Sequence, residues 1–314
     1  MQHDHRIASD FGAQLLALDP RGEELAVISN PNGPPRPVVG DFVAIDADRR
    51  IVSIAPRYGV LARAQSASNA QIIAANLDTV FVVTSPGREF SPARVERYLV
   101  AIGAGGAAAA VVLNKRDIAD DPGELVAALE AVANDAPVYA VSATSDDLEA
   151  AFAEHLWPGA TIALVGSSGV GKSTLANKLL GYARFRTAET RVSDGRGRHT
   201  STTRALVPLP GGALLVDTPG MRSFAPWADE DALDEVFHEV SQAARGCKFR
   251  DCTHTAEPGC AVTGSVDEDR LERYGKLRAE LAFLERRDDW AAQEAHRQRW
   301  RTISKNNKRR SQER

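Results

Sequence analysis

The sequence predicts an α/β fold in which a mostly parallel, doubly wound sheet follows a small N-terminal β-barrel and precedes a C-terminal helical module that binds a metal. Three observations predict it. Residues 1–62 contain only short β-like runs, residues 63–226 alternate strands with helices, and residues 227–314 combine helices with all three cysteines. We therefore expect three domains, with boundaries near residues 62 and 226.

The N-terminal region has the pattern of a small barrel. Its β-like runs are AQLLAL, ELAVIS, DFVAID and RIVSIA, and turn-rich stretches such as NPNGPPRP separate them. Several short strands at this spacing are typical of an OB-fold. Such barrels often bind RNA or single strands, but a protein-docking module or a spacer is an equally open interpretation.

The central region alternates between the two kinds of element. Strands are predicted at LDTVFVVTS, AAAVVLNKRD, PVYAVSA, TIALVG, RALVPL and ALLVDT. Helices are predicted at SPARVERYLVAIGA, with Ser91 as N-cap, at GELVAALEAVAN, at DDLEAAFAEHL and at VGKSTLANKLLG. This alternation predicts the parallel sheet.

A phosphate-binding loop is predicted where the TIALVG strand meets the next helix. The segment GSSGVGKS matches G-x-x-x-x-G-K-[ST], and its backbone N–H groups can surround phosphate oxygens. Lys172 would reach the β- and γ-phosphates, and the Ser173 hydroxyl would ligate Mg²⁺. The alternative is a glycine-rich turn with an incidental lysine. The predicted phosphate-binding residues are Gly166, Ser167, Ser168, Gly169, Val170, Gly171, Lys172, Ser173 and Thr174.

Three further segments follow predicted strands and suit a guanine nucleotide. In DTPG, Asp217 can hold Mg²⁺ through water and the Gly220 amide can sense the γ-phosphate. In NKRD, the Asp117 carboxylate can accept hydrogen bonds from the N1–H and the amino group of guanine. Adenine does not offer this pair of donors. The alternative interpretation is that Asp117 is only the N-cap of a helix. After the following strand, a backbone N–H at Ser142 or Ala143 can meet guanine O6.

The segments NKRD, VSA, GSSGVGKST, GRHTSTT and DTPG together resemble the translation-factor class of GTPases. Here NKRD precedes the phosphate loop, and this order resembles the circularly permuted members of that class. By this resemblance the guanine-binding residues are Asn114, Lys115, Arg116 and Asp117.

The cysteines form one cluster with a histidine in the pattern C-x4-C-x-H-x5-C. Cys247, Cys252, His254 and Cys260 supply a complete tetrahedral set for structural zinc, one ion per chain, with no position left open for catalysis. Three buried free thiols are the alternative.

The barrel, the permuted GTPase and the cysteine module together resemble the RsgA/YjeQ family, the ribosome small-subunit-dependent GTPases. The resemblance covers nearly the whole chain. It implies a GTP hydrolase that binds the small ribosomal subunit and its rRNA late in assembly, turns GTP over slowly alone and is stimulated by the subunit. It also implies that the zinc module and barrel contact the ribosome, and that Mg²⁺ accompanies GTP. A one-to-one binder of the subunit is expected to be a monomer.

Catalysis needs a group that orients the attacking water. Met221 occupies the position after Gly220 where many GTPases carry a glutamine, so we expect slow intrinsic hydrolysis. In the first switch GRHTSTT, His199 is the candidate for water, although a plain loop histidine or an RNA contact is equally open. Thr202 is chosen as the Mg²⁺-sensing threonine, with Thr200 and Thr203 as alternatives.

Charge and hydropathy restrict the partners. The net charge is −4, but residues 297–314 carry +7, which leaves −11 for the rest. The basic tail, with Trp300 among its cations, suits a polyanion such as RNA, and a solvated terminus is the alternative. The polar N-terminus and the lack of a long apolar run predict a cytoplasmic protein with no membrane partner.

Two other functions compete with an RNA-directed GTPase. A small-molecule kinase or ATPase could use the same phosphate loop, but NKRD argues against it. A zinc protein that recognises nucleic acid and has lost hydrolysis is the second alternative, which the intact Lys172, Ser173 and Asp217 oppose.

Overall fold

The computed structural model describes residues 3–12, 14–30, 33–64, 70–185, 204–217, 230–250, 252–255 and 257–283. The described residues form two compact units, one drawn from 1–63 and 72–226 and the other from 64–71 and 227–314. The division into three domains at residues 62 and 226 stays a prediction. Among the described helices, none combines the length and the apolar character that a membrane span needs.

A five-stranded barrel forms the N-terminal part of the first unit. Its strands are β1 His5–Asp10, β2 Leu15–Leu18, β3 Glu24–Val27, β4 Phe42–Ile45 and β5 Ile51–Ile54. β1 pairs with β2 and β4, β2 pairs with β3, and β4 pairs with β5. A parallel bridge between Ile28 and Arg50 joins β3 to β5 and closes the circle. The barrel expected from the sequence is confirmed, with Ile7, Leu15 and Val43 among its buried side chains.

The α/β core is built on a sheet that continues from the barrel. A short ribbon comes first, β6 Leu61–Ala64 and β7 Ala70–Ala74. The core strands are β8 Thr79–Thr84, β9 Ala108–Leu113, β10 Val138–Ala140, β11 Thr161–Val165, β12 Ala205–Pro208 and β13 Leu214–Asp217. Their order is β10-β9-β8-β11-β13-β12. The first five are parallel and only β12 is antiparallel, so the predicted mostly parallel core is confirmed.

The helices of this unit cover the sheet. They are α1 Pro92–Ala104, α2 Pro122–Ala133, α3 Leu148–Ala151 and α4 Lys172–Leu180, with 3-10 turns at Gly87–Glu89, Arg116–Ile118 and Ala153–His155. The predicted cap of α1 is present, because Ser91 Oγ accepts the Arg94 N–H at 3.3 Å. Gly181 ends α4 in the left-handed conformation, as the sequence predicts.

Buried polar contacts join the barrel to the core within the first unit. Ser9 of β1 lies opposite Ala205 of β12. The buried Arg6 donates to Thr161 Oγ1 at 2.6 Å and to the Asn76 carbonyl at 3.0 Å. Asn76 in turn donates to the Gly40 carbonyl at 2.9 Å. Because these groups are paired across the junction, separating barrel and core would leave them unsatisfied.

The second unit is helical around the cysteine cluster. Its helices are α5 Glu230–Val236, α6 His238–Ala244 and α7, residues 268–283. The buried Arg270 of α7 donates to the Val236 carbonyl at 2.9 Å and to Glu239, and its guanidinium lies 4.6 Å from the Phe237 ring centroid. Tyr274 packs edge-on against Phe237 with centroids 5.5 Å apart. These contacts bind α7 to α5 and α6.

The structure differs from the prediction made from the sequence in two places. β1 was not expected, because HRIASD has a polar appearance; its pairing with β2, β4 and β12 makes it a strand. The helix predicted over DDLEAAFAEHL is wrong beyond Ala151, where a 3-10 turn follows. There Phe152 and His155 turn inward onto Phe81, with ring centroids 4.9 and 5.2 Å away, so tertiary packing overrides helix propensity.

Candidate nucleotide site and metal centre

The predicted nucleotide-binding segments meet at one edge of the sheet. β8, β9, β10, β11 and β13 are parallel, so their carboxyl ends lie on the same side. NKRD follows β9, the VSA segment follows β10, the phosphate loop follows β11, and Asp217 is the last residue of β13. This edge is the usual ligand site of an open α/β sheet.

Two glycines allow the phosphate loop to fit against its neighbours. Gly166 has φ +134°, and a Cβ there would lie 2.1 Å from the Val83 carbonyl oxygen. Gly171 has φ +96°, and a Cβ there would lie 2.2 Å from Asn114 Nδ2. Neither position tolerates a side chain without movement of its surroundings. Glycine is therefore required at these two positions by close contacts with β8 and NKRD as well as by the geometry of the turn.

Lys172 begins α4 and lies over the loop. Its Nζ donates to the Gly166 carbonyl at 2.8 Å and to the Ser167 carbonyl. The lysine thus lies within the ring of loop atoms that would surround a phosphate, at the amino end of a nine-residue helix. On the outer side of the loop, Arg94 of α1 donates to Ser167 Oγ and to Glu89.

Asn114 links three parts of the site. Its side chain is buried, and Nδ2 donates to the Val170 carbonyl of the phosphate loop at 2.8 Å. Its Oδ1 accepts the Ala143 N–H at 3.1 Å. One amide therefore fixes the phosphate loop, NKRD and the VSA segment relative to one another, which is the arrangement that a nucleotide spanning base and phosphate pockets needs.

The next two NKRD residues bind neighbouring loops. Lys115 adopts the left-handed conformation with φ 60°, and its Nζ donates to the Gly169 carbonyl at 2.7 Å. Arg116 forms a bidentate ion pair with Asp146, with nitrogen–oxygen distances of 3.0 and 2.9 Å. Asp146 and Arg94 are not among the residues that the sequence predicts for the site. Asp146 lies four residues after Ser142, but no pattern marks a side chain that returns to Arg116.

Asp117 and the VSA segment present the candidate guanine contacts. Within the described ranges, the exposed Asp117 carboxylate has no hydrogen-bond or ion-pair partner. The Ser142 N–H is already bonded to Asp146 Oδ2 at 2.8 Å, and the Ala143 N–H is bonded to Asn114. The two backbone donors expected to meet guanine O6 therefore have protein partners in this structure.

Asp217 is half-buried at the end of β13, in register with Ala205 of β12. Burial raises the pKa of its carboxyl to about 6, and the charge of Arg184 opposes this rise. A bound divalent cation would favour the ionised form. The donor chemistry of Asp217 and of the Ser173 hydroxyl fits Mg²⁺, which takes oxygen ligands.

Several predicted residues lie outside the part of the chain that the structure describes. Among them are Gly220 and Met221, the first-switch residues His199, Thr200, Thr202 and Thr203, and Trp300 with the basic tail.

The candidate metal centre brings the four predicted ligands together in the second unit. Ligand atoms of Cys247, Cys252, His254 and Cys260 all lie within 4.8 Å of one another. His254 Nδ1 is 3.6 Å from the Cys247 sulfur and 3.7 Å from the Cys260 sulfur. Ligand atoms around a tetrahedral zinc are about 3.3–3.8 Å apart, given zinc–ligand bonds of about 2.0–2.3 Å. The cluster can hold a metal ion.

Hydrogen bonds to the sulfurs support a metal-bound form. The Ala261 N–H donates to the Cys247 sulfur at 3.3 Å, and the Thr263 hydroxyl donates to the Cys260 sulfur at 3.2 Å. The hydrogen bonds from Thr263 lower the pKa of the Cys260 thiol to about 6, and a thiolate is the form that binds zinc. Glu257 orders the loop by accepting the N–H groups of Thr253 and Thr255.

Comparison with known proteins agrees with this geometry. The family model described as RsgA GTPase matches residues 54–227. A protein of Methanosarcina acetivorans named small ribosomal subunit biogenesis GTPase RsgA is 44% identical over 283 residues, which are 86% of this chain and 77% of the relative.

The chain belongs to the RsgA GTPase family. It is accordingly a GTP hydrolase, and the resemblance inferred from the motifs is confirmed. An RsgA of Xylella fastidiosa strain 9a5c is 49% identical over 254 residues, 78% of this chain and 74% of the relative.

Two solved structures share the fold. The crystal structure of YjeQ from Thermotoga maritima matches with a TM-score of 0.65 and 26% identity, over 88% of this chain and 98% of that one. YloQ, described as a circularly permuted GTPase, matches with a TM-score of 0.61 and 23% identity, over 88% and 94% of the two chains. The permuted order of the core is therefore confirmed as a property of the fold.

Proposed function

We propose that this chain binds the small ribosomal subunit, assists its late maturation, and hydrolyses GTP to GDP and phosphate with turnover that the subunit stimulates. The observation that carries the nucleotide part is the buried Asn114 amide, which ties NKRD to the phosphate loop at 2.8 Å and to the VSA segment at 3.1 Å. The names of the relatives, small ribosomal subunit biogenesis GTPase, support the partner.

The residues divide into a base end and a phosphate end. Asp117 selects guanine through its two acceptor oxygens, with Asn114, Lys115 and Arg116 holding its loop and Ser142 and Ala143 lining the base. The loop from Gly166 to Thr174 binds the phosphates through its N–H groups, and Lys172 stabilises the charge that develops on them.

Magnesium would be held by the Ser173 hydroxyl and by Thr202, with Asp217 acting through water and Gly220 sensing the γ-phosphate. The ion neutralises phosphate charge when GTP is bound. His199 orients the attacking water when the subunit is bound. This assignment is supported by Met221, which cannot hydrogen-bond to water usefully.

The cysteine cluster holds one structural zinc through Cys247, Cys252, His254 and Cys260. Three thiolates and one imidazole are a ligand set of structural zinc sites, so the ion would stabilise the second unit and would take no part in hydrolysis. The barrel, the zinc module and the basic tail contact rRNA. The protein acts as a monomer in the cytoplasm, where its partner assembles, and its three domains divide near residues 62 and 226.

Steady-state phosphate release tests the proposal. GTP turnover is measured with and without purified small subunits, and ATP and large subunits are the controls. We expect strong stimulation that requires both GTP and the small subunit. Fast turnover without ribosomes, or a preference for ATP, would overturn the proposal and favour a small-molecule enzyme.

A further inference from the structure

The turn after β10 has a fixed hydrogen-bond pattern centred on Asp146. Its Oδ2 accepts the Ser142 N–H at 2.8 Å, and its own N–H donates to the Ser142 carbonyl at 2.9 Å. The Ser145 N–H donates to the same carbonyl at 3.2 Å. Residues 142–146 are therefore tied into a single turn at both ends, and the Asp146 side chain is one of the ties.

Arg116 joins this turn to NKRD. Its guanidinium meets both oxygens of Asp146 at 2.9 and 3.0 Å, and its backbone N–H donates to the Val141 carbonyl at 3.1 Å. Asp146 thus lies between Arg116, next to the guanine-selecting Asp117, and the segment expected to meet guanine O6. The side chain of Asp146 is 19% exposed, so its two oxygens are largely committed to these partners.

The bonded donors restrict which N–H can reach guanine O6. Ser142 donates to Asp146, and Ala143 donates to Asn114. In the described ranges, the Thr144 N–H is the first of this segment without a protein acceptor. Guanine carries one carbonyl oxygen, O6, and discrimination by hydrogen bonding needs a donor held opposite it.

We propose that Asp146 is a positioning residue for base specificity: with Arg116 it holds the 142–146 turn so that the Thr144 N–H donates to guanine O6. This role rests on the proposed nucleotide site, because it concerns how that site recognises the base. An exposed ion pair alone would contribute little. Asp146 acts differently, because it caps a backbone N–H and so fixes where the following N–H lies.

Binding of three nucleotides distinguishes a role in base recognition from a general structural role of Asp146. GDP offers O6 and the 2-amino group, IDP lacks the 2-amino group that Asp117 reads, and 6-thio-GDP replaces O6 with a weaker acceptor. Dissociation constants are measured by fluorescence competition for the native chain, Asp146→Ala and Asp147→Ala. The adjacent Asp147 is the matched control, because it also caps a backbone N–H, that of Ala150 at 3.1 Å, but on α3.

We expect the native chain to prefer GDP over 6-thio-GDP by about tenfold, the size of one well-made hydrogen bond. In Asp146→Ala, GDP affinity falls about tenfold and this preference narrows to about twofold, since the O6 donor loses its position. The GDP-over-IDP ratio stays the same, because Asp117 still reads the amino group. Asp147→Ala leaves both ratios at native values.

Equal loss for all three nucleotides in Asp146→Ala would overturn the positioning role and make Asp146 a fold residue. An unchanged GDP-over-6-thio-GDP ratio would overturn it as well. If Asp146→Ala does not fold, Asp146→Glu decides: it can keep the charged pair with Arg116, but its longer side chain no longer caps the Ser142 N–H in the same turn, and the GDP-over-6-thio-GDP ratio must still narrow. A native chain that binds ADP as well as GDP would instead refute the proposed nucleotide site itself.

Discussion

The contact between Gly171 and Asn114 gives the sharpest test of how the site is held together. A Cβ at Gly171 would lie 2.2 Å from Asn114 Nδ2, far inside ordinary contact, so Gly171→Ala must push the amide away. That amide makes two buried hydrogen bonds, to the Val170 carbonyl at 2.8 Å and from the Ala143 N–H at 3.1 Å. The substitution in the predicted phosphate loop therefore breaks contacts of the NKRD segment.

The structure allows the cost to be worked out. Alanine at φ +96° costs about 1 kcal/mol in backbone strain. Loss of the two buried hydrogen bonds costs about 3 kcal/mol, which is also the cost expected for Asn114→Ala. Gly171→Ala should thus lower the free energy of unfolding by about 4 kcal/mol. Gly169→Ala is the matched control, because φ is +92° there and a Cβ meets nothing within 4 Å; it should cost only about 1 kcal/mol.

The double variant separates shared from independent effects. Once Asn114→Ala has removed the amide, Gly171→Ala adds only its backbone strain, so the pair should cost about 4 kcal/mol rather than about 7. Gly169→Ala should be additive with Asn114→Ala. The assay is urea unfolding of the nucleotide-free chain by far-UV circular dichroism. Additive costs for Gly171 and Asn114, or a Gly171→Ala variant as mild as Gly169→Ala, would refute the reasoning.

Three further predictions concern the chemistry of the chain. Lys172→Ala should lower kcat for GTP hydrolysis at least about 100-fold, because the charge over the phosphates is lost; phosphate release measures it. Asp117→Asn should weaken GDP binding about 100-fold and improve XDP binding, since an amide can donate to the xanthine 2-oxo group; competition binding measures both. Cys260→Ser should abolish zinc binding, assayed by metal analysis, and impair small-subunit binding more than GDP binding.

Each of these has a control. Lys178 lies on the same helix and its side chain is exposed, so Lys178→Ala should leave kcat within about twofold of the native value. Native turnover in Lys172→Ala would rule out the phosphate-loop assignment. Asp117→Asn with undiminished GDP affinity would remove guanine selection from NKRD. Equal loss of subunit and nucleotide binding in Cys260→Ser would mean that the zinc module supports the fold of the core.

The sheet and the site edge could be predicted because their signals are local. A buried parallel strand has a continuous apolar run, and the polar residues that follow it meet at one edge of the sheet. NKRD after β9 and the phosphate loop after β11 follow this rule. The cysteine cluster was also predictable, since four metal ligands within fourteen residues are close in space whatever the surrounding fold.

The residues that were missed owe their role to distant partners. Asp146 is marked by no periodicity, and its use depends on Arg116, which lies 30 residues away in the chain and close to it in space. The bonded state of the Ser142 and Ala143 N–H groups has the same origin. The sequence predicts which segment would face the base, but which N–H remains available depends on side chains from other loops.

The missed strand β1 has the largest consequence for the architecture. Ser9 of β1 lies opposite Ala205 of β12, and Ala205 lies opposite Asp217 of β13, so the barrel is two strand spacings from the candidate magnesium ligand. Arg6, three residues before Ser9 on the same strand, donates a hydrogen bond to Thr161 at the start of the strand that leads into the phosphate loop. Because buried hydrogen bonds and not a linker join the two parts, a displacement of the barrel would have to break them or move β12 and β11 with it. The barrel is therefore joined to the core sheet through β12, the direct neighbour of the strand that ends in Asp217.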